Sequence, residues 1–238
     1  MNASITTGYF GKLPMRGDFI RRNLAPEFIQ IWDNWLQSVI DTSRNNLHDQ
    51  WLNYYLVSPV WRYYFTLADN DVYTGVVLPS VDKVGRYFPF TIAANIKDSP
   101  SVSAFITNNT QWYNTLENLA LSALEENISY EQLNTQVDSL LRSINIDQFY
   151  SQPMNEGYRV PLNDGTSVDT ALSLIAHQFS VALDPARSYW WSQGSAHVSG
   201  HLISCLGLPD DNIFTAMLDG RWELCHAKPL NAASFIPY

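Results

Sequence analysis

The 238 residues are 46% hydrophobic and only 16% charged, enough apolar material for a real core in one large domain or two small ones. Fourteen basic against 23 acidic side chains leave a net charge of −9, which disfavours nucleic-acid binding as the main role, because phosphates would meet a like-charged field. No apolar run exceeds Tyr54-Tyr55-Leu56-Val57, the N-terminus has no signal-peptide pattern, and Cys205 and Cys225 cannot build a disulfide framework, so the chain reads as a soluble cytoplasmic protein without membrane insertion.

Ile5 to Gly11 predicts a short strand running into a glycine turn. Phe28, Ile31, Trp32, Trp35, Leu36, Val39 and Ile40 follow at helical spacing, with Pro26 suited to the first turn. Val60 to Phe65, Val72 to Leu78 and Arg86 to Ile96 then read as three strands. Their short connections predict an antiparallel meander, since parallel pairing needs a long crossover.

Helical spacing returns in Trp112, Leu116, Leu119, Ala120, Ala123 and Leu124. Ser129-Tyr130-Glu131-Gln132 spells a capping box that opens a second stripe through Leu133, Val137, Leu140, Leu141 and Ile144. A third helix is predicted over 168–183, and short strands at 188–191 and 212–218. The pattern predicts an α/β layered sandwich: a single domain over 1–238 whose central, largely antiparallel sheet carries helices on its faces.

Charge is uneven. Residues 1–86 balance at eight basic and eight acidic side chains, whereas 87–238 hold six and 15. Within the neutral part, Lys12, Arg16, Arg21 and Arg22 against Asp18 give residues 11–22 a local charge of +3. Such a run is either a solvated surface or a patch that attracts an acidic partner.

The common catalytic signatures are missing: no Gly-x-Ser-x-Gly elbow, no P-loop, no dinucleotide-binding glycine triplet. The best metal candidate is His197 and His201 with Cys205, and Cys225-His226 downstream, because imidazole and thiolate suit zinc. The cysteines lack the paired Cys-x-x-Cys spacing, so loop histidines and buried small thiols are the favoured reading and no metal site is predicted. His177 reads as a half-buried helical residue, and Arg16-Gly17-Asp18 as a chance match to an adhesion tripeptide. No cofactor is expected.

Several blocks taken together resemble one family. They are residues 8–14 leading into Arg16-Gly17-Asp18-Phe19, Ser58-Pro59-Val60-Trp61-Arg62, Leu78-Pro79-Ser80-Val81-Asp82, and Val84-Gly85-Arg86-Tyr87-Phe88-Pro89. Residues 189–195 and 214–220 continue the match more loosely. The chain resembles the type VI secretion-associated TagF family, also called ImpM or SciT. Met15 and Lys83 depart slightly from the usual pattern.

The resemblance implies a sheet with helices on its faces, in a cytoplasmic accessory protein of a Gram-negative contractile secretion machine. It further implies a non-enzymatic, post-translational repressor that binds the forkhead-associated scaffold protein of the system. Lys12, Arg16, Asp18, Arg21, Asp82 and Arg86 sit in Gly/Pro-rich segments that expose side chains and are the candidate interaction residues. They either fix loop geometry or shape a docking surface. A metal-dependent hydrolase built on His197, His201 and Cys205, or a structural baseplate component, is the alternative.

Overall fold

The computed structural model describes residues 5–67, 71–97, 102–125, 128–145, 152–154, 157–159 and 187–225. Strands β1 (Ile5–Gly11) and β2 (Ile20–Arg22) precede helices α1 (Pro26–Leu47) and α2 (Trp51–Leu56), which a short 3-10 turn separates. Then come β3 (Trp61–Thr66), β4 (Val72–Leu78) and β5 (Phe90–Ile96), followed by α3 (Val102–Asn108), α4 (Thr110–Leu124) and α5 (Tyr130–Ser139). A two-stranded ribbon, β6 (Gln152–Met154) and β7 (Gly157–Arg159), is followed by the hairpin β8 (Arg187–Gly194) and β9 (Ser199–Leu206), and by α6 (Asp211–Asp219).

The main sheet has seven strands in the order β2-β1-β5-β4-β3-β8-β9, and each adjacent pair is antiparallel. The meander β3-β4-β5 is its centre. Because side chains alternate along a strand, each central strand feeds two cores. Trp61, Tyr63 and Phe65 of β3 face one layer, with Tyr73 and Val77 of β4 and Trp190 of β8 beside them. Tyr64 of β3 faces the other layer with Val72, Val76, Ile92 and Ala94. Burial on both faces explains why β4 and β5 read as near-continuous apolar runs.

The layer of α1, α2 and α6 is aromatic. Trp32 is fully buried, 4.7 Å centroid to centroid from Tyr63 and 6.0 Å from Trp190, and Phe28 stacks on Tyr73 at 4.3 Å. The α3–α5 layer adds directional polar contacts to its apolar core. Arg62 projects from β3 into that layer and grips both carboxylate oxygens of Glu117 at 2.8 and 2.7 Å. The Tyr113 and Thr74 hydroxyls meet across the same layer, and Thr7 donates to the Val137 carbonyl at 2.9 Å.

The α/β sandwich, the meander, α1, α4 and the Ser129–Gln132 capping box match the expectations from sequence. Two readings need correction. Residues 212–218 form α6, not a strand: the Asp210 carboxylate accepts from the Ile213 N–H at 2.8 Å to cap its start, and Gly220 ends it at φ +76°. The third strand starts at Phe90, not Arg86, because residues 80–88 are folded into a turn of their own. Six strands and helices, β2, α2, α3, β6, β7 and β9, were not anticipated. The helix expected over 168–183, with His177, lies outside the described residues.

Candidate functional site

One end of the sheet gathers blocks that are far apart in sequence. The end of β1, the end of β4, the starts of β3 and β5, and the β8–β9 turn all lie there, because neighbouring strands are antiparallel. Two loops, residues 12–19 and 79–89, are fastened to each other at this end.

The fastening starts at Gly11, which has φ +132° and lies so close to β5 that a Cβ would sit 2.1 Å from the Pro89 carbonyl oxygen. The chain therefore delivers Lys12 directly against the second loop. There the Asp82 side chain is completely buried and fully used. One oxygen accepts from the backbone N–H groups of Val84 at 3.0 Å and Arg86 at 2.9 Å. The other accepts from Lys12 Nζ at 3.0 Å and Arg86 Nε at 2.7 Å. Burial alone would raise the carboxyl's pKa, but the donors from Arg86, Lys12 and Val84 prevail and hold it well below the usual carboxylate range.

Further bonds close the junction. The Lys83 N–H donates to the Arg16 carbonyl at 2.9 Å, and Ser80 Oγ donates to the Lys12 carbonyl at 2.7 Å. An Arg86 terminal nitrogen reaches the Gly17 carbonyl, and Asp18 lies 3.8 Å from the same guanidinium. Behind the loop, the buried Tyr55 hydroxyl donates to the Ser80 carbonyl at 3.0 Å and accepts from the Ser80 N–H at 3.1 Å. Phe19 stacks on Phe10 at 5.6 Å and meets Phe88 edge-on at 4.8 Å.

This placement sorts the six candidates. Lys12 and Asp82 are buried and brace the junction. Arg16, Asp18, Arg21 and Arg86 are exposed; Arg16 lies over the Tyr130 ring, and Arg21 stands on the short edge strand β2. Sequence reasoning overlooked Tyr55, hidden in a short aromatic run, and the exposed tip formed by Lys83 and Val84. It also overlooked Phe19, Leu56 and Val57 as exposed apolar side chains at this end.

The two looser blocks reach the same end. The Trp61 indole N–H donates to the Met217 carbonyl at 3.3 Å. Gly220 passes so close to the β8–β9 turn that a Cβ would lie 2.3 Å from the His197 carbonyl oxygen. The slot between Tyr55, Pro59, Trp61, Pro79 and Phe214 holds about 20 Å³, room for roughly one water and no metabolite.

The proposed metal set does not assemble. His197 is exposed in the turn and packs edge-on against Tyr54, whereas His201 and Cys205 lie on β9. Four residues of extended strand separate their Cα atoms by roughly 13 Å, beyond a shared ion. His201 Nδ1 faces the Ser199 carbonyl, Cys205 Sγ meets Ser188 Oγ, and burial raises the pKa of the Cys205 thiol. Among the described residues no group of three His, Cys, Asp or Glu side chains could hold a metal. The spacing argument assumed a helical turn where the chain is extended. A polar cleft of about 440 Å³ between the end of α1 and α6 is lined by His48, Asn46 and Arg221 and has one hydroxyl, Thr215, which donates to the Asp211 carbonyl and accepts from Asn46 Nδ2 at 3.4 Å.

A family profile described as the TagF N-terminal domain, type VI secretion system-associated, matches residues 8–140, more than half of the chain. The chain belongs to the TagF family. It is therefore an accessory protein associated with type VI secretion. It is also similar to the crystal structure of PA0076 from Pseudomonas aeruginosa PAO1, solved at 2.05 Å resolution. Sequence identity is 32%, the match covers 90% of this chain and 94% of that one, and the TM-score is 0.72. No match was found among the curated proteins. The loop junction lies wholly within the matched TagF segment, whereas β8 and β9 extend the same sheet beyond it. Among the described residues, no helix is long and apolar enough to cross a membrane.

Proposed function

We propose that this TagF-family chain is a non-enzymatic, cytoplasmic repressor of type VI secretion that acts after translation by binding the forkhead-associated scaffold protein of the system. The observation that carries the reading is the convergence of the family's dispersed sequence blocks on one sheet end. That end is internally braced, and its outer side chains serve no core. A rigid platform presenting loops is the arrangement recognition favours.

Repression follows from sequestration. A protein that binds the free scaffold more tightly than the assembled one shifts the population toward the free form, by no more than the difference between those two affinities.

Calorimetry of the purified full chain against the scaffold of the same organism tests the contact, with saturable one-to-one binding expected. Deletion of the gene tests the direction of control. A repressor gives a gain of secretion, whereas a structural baseplate component gives its loss.

A further inference from the structure

Resting on that docking reading, we infer that the loop junction receives an acidic segment of the partner protein, whose apolar side chain seats against Val84 and Phe19 while its carboxylates meet Lys83, Arg86 and Arg16.

Charge is the first ground. Four exposed cations, Arg16, Arg21, Lys83 and Arg86, crowd the two loops and the adjoining edge strand, with Asp18 the exposed acid among them. The whole chain carries −9, and all of that excess lies after residue 86. An acidic segment is repelled by most of this molecule and attracted here, so the charge pattern fixes both where it lands and how it is oriented.

Shape is the second ground. Val84 is 68% exposed at the tip of the 82–86 turn, and Phe19 is 46% exposed although it is clamped between two buried phenylalanines. Leu56 and Val57, which follow Tyr55 in the chain, are further exposed apolar side chains at this end of the sheet. Apolar anchors ringed by cations suit a segment that alternates acidic and apolar residues.

Preorganisation is the third. Arg86 is held through Nε by Asp82 and through a terminal nitrogen by the Gly17 carbonyl, so its outward face is already oriented. Little side-chain entropy remains to be lost when a carboxylate arrives. Gly85, at φ +86° with open space where a Cβ would be, lets the partner backbone pass close to the tip.

Lys83→Glu and Val84→Asp test this, because both side chains are exposed and neither braces the junction. Binding of each full-length variant to the scaffold is measured by calorimetry at roughly 50 and 300 mM salt. The expected result is about tenfold weaker wild-type binding at the higher salt. Lys83→Glu weakens binding by about tenfold or more at low salt, and Val84→Asp does so at both salts, with unchanged Tm. Salt-independent binding that neither variant alters overturns the acidic-segment proposal and leaves the repressor reading intact.

If the wild-type chain does not bind the scaffold, that part of the functional reading fails and the surface is judged in cells. A double variant that accumulates normally yet no longer restrains secretion keeps the acidic partner with a different protein. One that still represses overturns it. Binding to anionic phospholipid vesicles, lost in Lys83→Glu while scaffold binding is unmoved, overturns it in favour of a lipid surface.

Discussion

Asp82 and Asp138 each tie together segments far apart in the chain, Asp82 to Lys12 and Asp138 to Arg22. Both carboxylates are held below the usual range: at Asp138 the Arg22 pair drives the shift, while at Asp82 hydrogen bonds overcome burial. Their surroundings differ. The Asp82 side chain is wholly buried and its second partner, Arg86, belongs to the same turn, whereas Asp138 is half exposed on α5 and Arg22 lies on the edge strand. Water already solvates the second pair, so its removal changes little. The first pair has no substitute for its partners, and the shape of a surface loop depends on it. The same ionic chemistry thus acts as a clasp in one place and as a surface accessory in the other.

Asp82→Asn breaks the comparison most strongly. It leaves Lys12 buried without its counter-ion and releases Arg86, so thermal unfolding should show the largest fall in Tm of the series. Scaffold binding should fall with it, although Asp82 touches no partner. Acid sharpens the same point. A carboxyl whose folded pKa lies below the unfolded value of about 3.9 contributes stability above that pH, and loses it as pH falls toward the folded pKa. The gap in Tm between wild type and Asp82→Asn should therefore narrow as pH drops below about 4.

Tyr55→Phe is intermediate. It removes a hydroxyl that satisfies both the N–H and the carbonyl of Ser80, and denaturant unfolding should show a loss of about 1–3 kcal/mol. Arg22→Ala is the smallest, at about 0–1 kcal/mol, shrinking further in salt. A large, salt-insensitive cost for Arg22→Ala would erase the distinction drawn between the two sites.

Much of the fold was legible locally. The Phe28–Ile40 stripe, the strands at 61–66 and 72–78, and the Ser129 capping box each carry their signal within a few residues. The errors came where local signals conflict. Asn212-Ile213-Phe214-Thr215 resembles a strand, but Asp210 and Gly220 cap a helix around it. Residues 199–206 mix glycine, serine and apolar side chains with no clear period, and become a strand only by pairing with β8. That pairing also separates His201 from Cys205, which sequence spacing had brought together.

At the candidate site, the sequence alone marked the blocks and their charges, because glycine, proline and clustered basic residues announce turns and surfaces without reference to distant partners. It determined the layered α/β class in the same way, through the period of its apolar residues. Only the tertiary structure decided that Lys12 and Asp82 are buried braces, while Lys83 and Val84 face outward. Burial is a property of what packs opposite. Here the opposing groups lie some 70 residues away and meet only when antiparallel strands bring the ends of β1, β4 and β5 together.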